Sequence, residues 1–264
     1  LSHTAGFPAH QPYFQRLAEH PESNRRSEVL QLLAAEPLVN APGKRIVYSD
    51  LGYMDLRGVI EAVTQTRLDQ FVTDTLYRPL GLNDLFFVDR HASLSTQDRL
   101  FAATESCPRR KTLIKGTVHD DNAYDVGGID GQSGLFGTTT AVSAFLRELL
   151  TIYHGQSAVG ILSRHSVSRM LETQTRPDQA EKAGSAGRTW GFDTPDADNS
   201  SAGQFFSPLS VGHLGFTGTS FWIDVARNIM VLLFTNRVHP DRNNETIKTF
   251  RPQLHDAVMR TLLK

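Results

Sequence analysis

Residues 211–236 read VGHLGFTGTSFWIDVARNIMVLLFTN, from Val211 to Asn236. A small, polar, Gly-rich run, His213-Leu214-Gly215-Phe216-Thr217-Gly218-Thr219, leads into the β-prone Ser220-Phe221-Trp222-Ile223. Val225-Ala226-Arg227-Asn228 can reverse the chain, and Ile229 to Phe234 is a second apolar run. Two β-rich runs across a short polar turn predict an antiparallel hairpin. Glycines at its entrance allow a ligand or another backbone to come close. His213 is therefore a candidate for chemistry as well as for a structural histidine.

Outward from the hairpin the chain reads as helices and loops. Ile247 to Leu263 has a helical pattern, and Pro252, with no N–H, should start or kink that helix. Val142, Phe145, Leu146, Leu149, Leu150 and Tyr153 hold the helical period behind Thr139 or Thr140 as cap. Ser163 can cap a shorter helix carrying Val167, Met170 and Leu171. Pro12 to His20, Ser27 to Ala35 and the Leu68–Leu76 stretch before Pro79 and Gly81 are further helical segments. Phe86-Phe87-Val88 and Arg188 to Phe192 read as short strands. Ala92 to Asn122, Thr173 to Gly187 and Asp193 to Pro208 read as loops, with Arg109-Arg110-Lys111 a solvated basic knot. Leu56, Val59, Ile60 and Val63 recur at i, i+3, i+4 and i+7 behind Ser49 and Asp50, two good N-cap residues. Tyr48-Ser49-Asp50 thus stands where a loop enters a helix, so short polar groups can face a cleft while the helix anchors them. The fold class is α/β (α+β): an antiparallel sheet flanked by helices, plus a mostly helical region. The helical part covers about 9–172, and the sheet-forming part about 186–264, within one domain spanning 1–264.

Bulk properties narrow the function. The 264 residues can bury a sizeable core. With 27 basic and 28 acidic residues the formal net charge is −1, which gives no electrostatic attraction to nucleic acid or an anionic membrane. No apolar run reaches the ~18 residues of a membrane span. One cysteine, Cys107, excludes an internal disulfide and a multi-cysteine metal site.

Several chemistries lack their motif. There is no Gly-x-x-x-x-Gly-Lys-[Ser/Thr] loop and no Gly-x-Gly-x-x-Gly after a strand. Gly131-Gln132-Ser133-Gly134-Leu135 has Leu135 where a nucleophile elbow needs glycine. His119, Asp120 and Asp121 are ligand-type residues, but adjacent residues seldom converge on one ion, and capping and loop hydrogen bonds are their default. The expected complement is no metal and no cofactor. Tyr48 at its helix entrance and His213 at its Gly-rich strand are the two sites that stand out.

Their order and surroundings resemble the serine β-lactamase and penicillin-binding-protein superfamily, in its class C-like branch with esterases, D-aminopeptidases and cell-wall amidases. Leu1-Ser2-His3-Thr4-Ala5-Gly6-Phe7 resembles the Leu-Ser-His-Thr-Ser-Gly-Leu run of that branch. Tyr48-Ser49-Asp50 takes the place of Tyr-x-Asn, and His213-Leu214-Gly215 that of Lys-Thr-Gly in its His-x-Gly form. Thr104-Glu105, Val118-His119-Asp120 and Gly131 to Phe136 extend the likeness. The resemblance implies a β-lactamase/transpeptidase-like fold and acyl transfer through a serine ester. It implies catalytic roles for Tyr48, His213 and the Phe216 backbone N–H on the edge strand, and substrate contacts for Asp50, Gly215, Thr217 and His119. Asp50 in place of Asn only accepts hydrogen bonds, and Leu214 removes a hydroxyl. Both departures count against a typical β-lactamase and leave an esterase or an amidase/peptidase open, β-lactam interaction included.

No serine in the chain has lysine three residues later, so the family's Ser-x-x-Lys nucleophile is missing. The expectation is that Leu1 is internal to a longer protein. An upstream segment, either a separate fragment after cleavage or a part of the chain outside these 264 residues, would then carry the nucleophile with a first helix and strands, and the 264 residues alone would be inactive. Substrates expected by resemblance are a small acyl ester, a peptide or a cell-wall-derived compound, with no nucleic acid. Family analogy places such a protein in the bacterial periplasm or cell envelope, a cytoplasmic site staying open. The competing reading is a non-catalytic β-lactamase-fold fragment that binds a cell-wall or protein partner.

Overall fold

A computed structural model describes residues 1–92, 99–157, 159–174, 187–196 and 200–264. The chain divides into two units, His3–Val142 and Ser143–Lys264, the latter including Leu1–Ser2. Each is described by itself.

In the first unit the core forms between α1 (Tyr13–Leu17), α2 (Glu22–Ala34) and α3 (Asp50–Thr64). Tyr13, Leu17, Val29, Leu33, Leu51, Met54 and Val126 are buried together, with Phe7, Leu30 and Leu32 against them. α2 starts earlier than its apolar pattern suggests. Pro21 sits at its N-cap, and Glu22 occupies the first turn, a favourable place for negative charge. α4 (Leu68–Val72) runs on into a π-helical turn, Thr73–Tyr77. β1 (Leu85–Phe87) pairs antiparallel with β4 (Leu135–Gly137), and β2 (Ser106–Cys107) with β3 (Thr112–Leu113). α5 (Asp121–Asp125) is capped by the Asp120 carboxylate, which accepts from the Ala123 N–H at 2.7 Å.

Two expectations fail here for one reason, the burial of arginine. The buried side chains of α3 are Leu51, Met54 and Arg57, whereas Val59 and Val63 of the expected apolar stripe are 50% and 79% exposed. Arg57 Nε donates to Asp130 Oδ1 at 2.8 Å, and neither side chain is exposed. Arg57 also reaches Glu61 Oε2 at 3.2 Å, so its ion pairs turn the helix toward residues that hydropathy assigns to water. The basic knot is likewise not all solvated. Arg110 is nearly buried. It donates to the carbonyls of Val118, His119 and Asp120 and to Asp121 Oδ1. Its guanidinium lies 3.8 Å from the Tyr124 ring centroid.

In the second unit β5 (Val211–Leu214), β6 (Ser220–Asp224) and β7 (Ile229–Leu233) form an antiparallel sheet in that order. The expected hairpin is β6–β7, with Asp224 opposite Ile229. Trp222 is buried with Ala202, Phe206 and Met259, and Phe205, Ile229 and Val231 pack on this cluster. Met259 lies on α8 (Ile247–Leu262), which holds Pro252 inside it rather than at its start. α6 (Thr139–Tyr153) buries Leu146, Leu149, Leu150 and Ile152. Its cap is Thr138, whose hydroxyl accepts from the Ala141 N–H. Ser163 caps α7 (Arg164–Leu171) as its sequence predicts. Arg188 to Phe192 is not a strand: Gly191, at φ +95°, turns the chain, and only isolated bridges Arg188–Asp193 and Asp193–Gly212 form. Residues 175–186 of the expected Thr173–Gly187 loop lie outside the described residues, as do 93–98 of the Ala92–Asn122 loop and 197–199 of the Asp193–Pro208 loop.

Removing one partner of a buried ion pair leaves the other charge uncompensated, at a cost of about 3–5 kcal/mol. Asp130→Ala is therefore expected to lower the urea unfolding midpoint by up to that equivalent, Glu61 still facing Arg57; an unchanged midpoint would show that Glu61 alone suffices.

Candidate active site

In the first unit Tyr48 is the second residue before α3, and its ring is 46% exposed. The backbone around it is pinned from residues 3–10. Val47 N–H donates to the His3 carbonyl at 2.9 Å and Asp50 N–H to the Ala9 carbonyl at 3.0 Å. Ser49 N–H donates to His3 Nδ1 at 3.0 Å. Ser49 holds the N-cap position without capping, because its hydroxyl donates to the Pro8 carbonyl at 2.7 Å. The His3 ring stacks on Tyr48 with centroids 4.4 Å apart, and lies 5.3 Å from Tyr53. Asp50 Oδ2 is 3.2 Å from His10 Nδ1.

Behind this entrance lie more carboxylates. Asp120 accepts from the Gln132 side-chain amide at 3.2 Å. Burial pushes its carboxyl above the ordinary range, the charges of Asp50 and Asp130 adding to this. His119 is buried and faces Glu105, Nε2 to Oε2 3.6 Å. Asp121 takes Arg109 and Arg110. The side chains of His119, Asp120 and Asp121 thus have separate partners. Among the described residues no group of three His, Cys, Asp or Glu is arranged to hold a metal ion.

In the second unit His213 is inside β5, opposite Phe221. Beyond β5, Gly215–Thr219 is a tight turn. Gly215 N–H donates to the Thr219 carbonyl at 2.8 Å, and Gly218 N–H to the Gly215 carbonyl at 3.0 Å. A Cβ on Gly215 would stand 2.1 Å from Thr219 Oγ1, so this position has no room for a side chain. Phe216 and Thr217 lie in the turn, not on an edge strand. The turn's carbonyls are held from outside. Arg237 Nε donates to Phe216 O at 2.9 Å, Thr235 Oγ1 to Gly218 O at 2.8 Å, and Arg251 to Thr219 O at 3.2 Å. Arg237 also lies over the exposed Phe216 ring at 4.6 Å. In a trans peptide the C=O and the next N–H point oppositely. The inward Gly215 carbonyl therefore aims the Phe216 N–H outward.

The sequence model of the Beta-lactamase family matches residues 1–254. The chain belongs to the β-lactamase family. A putative D-alanyl-D-alanine carboxypeptidase of Escherichia coli K12 is 30% identical over 252 residues. That match covers 90% of this chain and 56% of the relative, so the chain spans about half the relative's length. Two solved structures share the fold. A β-lactamase from Mycobacterium bovis is 16% identical, with TM-score 0.64, covering 99% of this chain and 72% of that one. Simvastatin synthase from Aspergillus terreus is 17% identical, with TM-score 0.69, covering 98% and 67%.

In this β-lactamase-family chain, Tyr48 and Asp50 flank Ser49 in the first unit, and His213, Gly215, Phe216 and Thr217 lie within one five-residue stretch of the second. Sequence reasoning assigned no role to His3, His10, Arg237 or Arg251. Only the His3 run carried a signal, through its family likeness. His213 is half-buried. Burial pulls its imidazole pKa below the ordinary 6.5, Asp193 opposing and Arg188 reinforcing the shift. Burial, with Arg251 nearby, does the same to His255.

The sign of the linkage follows. As pH falls through 6.5, the unfolded chain protonates these histidines while the folded chain resists. Stability is therefore full above that pH and lost below it. His213→Gln should make the decline of the urea midpoint with falling pH shallower, with His255 supplying the rest. An unaltered slope would remove His213 from the linkage.

Proposed function

We propose that this chain supplies the proton-transfer and oxyanion groups of a serine acyl hydrolase that works through an acyl-enzyme. The observation that carries the reading is Tyr48: a half-exposed phenol on a backbone pinned at both neighbouring residues. Family membership and the order Tyr48-Ser49-Asp50 then His213-Leu214-Gly215 support it. The nucleophile is proposed to be the serine of a Ser-x-x-Lys sequence outside these 264 residues. The sequence here lacks that motif, and the relatives extend well beyond the match.

In the proposed reaction the serine oxygen attacks the acyl carbon. Its proton passes to Tyr48, which hands it to the departing alcohol or amine. A tyrosine of ordinary pKa near 10 is a weak base at neutral pH, and a lysine cation beside it would favour the phenolate. Water then cleaves the ester by the same proton path reversed. The Phe216 N–H, aimed out of its turn, is one oxyanion donor and the serine's own N–H the other; such donors are worth about 3–4 kcal/mol each. His213, with its pKa pulled down, serves as a neutral hydrogen-bonding group rather than the cation of the Lys-Thr-Gly form. Gly215 is proposed to contact the acyl group through its backbone, the place of its Cβ being taken by Thr219 Oγ1. Asp50, Thr217 and His119 are proposed substrate contacts.

The proposed substrates are acyl esters or peptides. A peptide ending in D-alanyl-D-alanine comes first, from the relatives' name. Such a substrate fits a periplasmic or cell-envelope site. No helix among the described residues is long and apolar enough to cross a membrane.

Tyr48→Phe in the full-length protein is expected to lower turnover of a chromogenic acyl ester by at least about 100-fold, the scale of acid–base groups. Near-wild-type turnover would remove Tyr48 from the mechanism. Absence of labelling by a fluorophosphonate on the full-length protein would favour a binding role instead.

A further inference from the structure

Residues 3–9 hydrogen-bond to the backbone on both sides of Tyr48, and His3 also stacks on its ring. His3 is 8% exposed and lies beneath the Tyr48 ring. Its φ of +56° is in the left-handed region, which histidine enters more readily than most residues but still at a cost. Its carbonyl accepts from Val47 N–H, and its ring nitrogen Nδ1 accepts from Ser49 N–H. Tyr48 is thus held by one residue on three sides: the backbone before it, the backbone after it and the ring face. An acceptor Nδ1 leaves the imidazole proton on Nε2, so a neutral ring of one tautomer is what the geometry requires.

We propose that His3 is the positioning residue of Tyr48, acting as the neutral Nε2–H tautomer that accepts the Ser49 N–H and stacks on the phenol ring. His3 sets where the phenol oxygen stands and transfers no proton itself. The consequence for catalysis rests on the acyl-transfer reading of Tyr48; the tautomer and the hydrogen bond do not. Proton transfer is sensitive to small displacements, and misplacement of about 1 Å can cost about 100-fold in rate. A strained left-handed residue persists only where its surroundings over-determine it, and such residues cluster at functional sites.

Two substitutions separate the contacts. His3→Phe keeps an aromatic face and removes the acceptor. His3→Asn keeps an acceptor near Nδ1, tolerates positive φ and removes the ring. The readouts on full-length protein are ¹⁵N imidazole spectra, amide exchange at Val47 and Ser49, and ester hydrolysis. The wild type should show His3 as the neutral Nε2–H form. Ser49 exchange should quicken by about tenfold in His3→Phe, the scale of one lost hydrogen bond, and stay slow in His3→Asn. Val47, bonded to a carbonyl that both variants keep, should stay protected and so report intact folding. The kcat should fall about 10- to 100-fold in His3→Phe with KM little changed, and recover in part in His3→Asn.

An Nδ1–H tautomer in the wild type overturns the proposal even if neither variant folds. So does unchanged Ser49 exchange, or unchanged kcat, in a folded His3→Phe. A wild-type full-length protein with no hydrolytic activity overturns the acyl-transfer reading instead, and the tautomer and exchange results then decide the placement of Tyr48 alone.

Discussion

The buried pair Arg57–Asp130 constrains the first unit more than any other contact. Arg57 lies two turns into α3, and Asp130 lies in the Gly-rich run after α5. The pair draws that run against the helix so closely that a Cβ on Gly131 would stand 1.9 Å from the Tyr53 carbonyl. Arg26 reinforces the junction from α2, donating to the Ile129 carbonyl and pairing with Glu61. Taking such charges out of water is unfavourable unless geometry and further hydrogen bonds offset it. The reward is a unique rotation of α3 about its axis. Tyr48-Ser49-Asp50 leads into that helix, so the ion pair holds the helix to which the candidate proton-transfer group is joined.

The second unit solves a similar problem with backbone acceptors. The five-residue turn carrying Phe216 and Thr217 is closed by two backbone hydrogen bonds, which leave the carbonyls of Phe216, Gly218 and Thr219 available to outside donors. Arg237, Thr235 and Arg251 each take one of its carbonyls. Guanidinium groups suit this because their donors are rigid and stay charged. Each carbonyl so fixed also fixes the N–H of the following residue. Two of the three side chains brought there are cationic, while the group proposed to face substrate is a peptide N–H.

Legibility from sequence followed the kind of interaction. The β6–β7 hairpin was readable because Ser220–Ile223 and Ile229–Phe234 announce strands by local propensity, and only a short polar reversal separates them. The Ser163 cap was readable because capping is a contact across three residues. The apolar stripe of α3 misled, since Arg57 occupies a buried position that periodicity gives to a hydrophobe. Arg110 misled for the same reason: three carbonyls and Asp121, distributed over residues 118–121, make a pocket for it that no window around residue 110 shows. Phe216 was placed on a strand because composition does not reveal where β5 ends, which Gly215 and Thr219 decide by closing a turn.

By itself the sequence determined the mixed helical and antiparallel architecture, the motif order Tyr48-Ser49-Asp50 then His213-Leu214-Gly215, and the lack of Ser-x-x-Lys within the chain. These rest on residue identity and near-neighbour periodicity. Only tertiary structure decided which face of α3 is buried, how Phe216 presents its N–H, that His213 is drawn toward its neutral form, and that His3 holds Tyr48. The Phe216 N–H depends on how a short turn closes; the others depend on partners far along the chain, on their distances and on exclusion of water, none of which local sequence encodes.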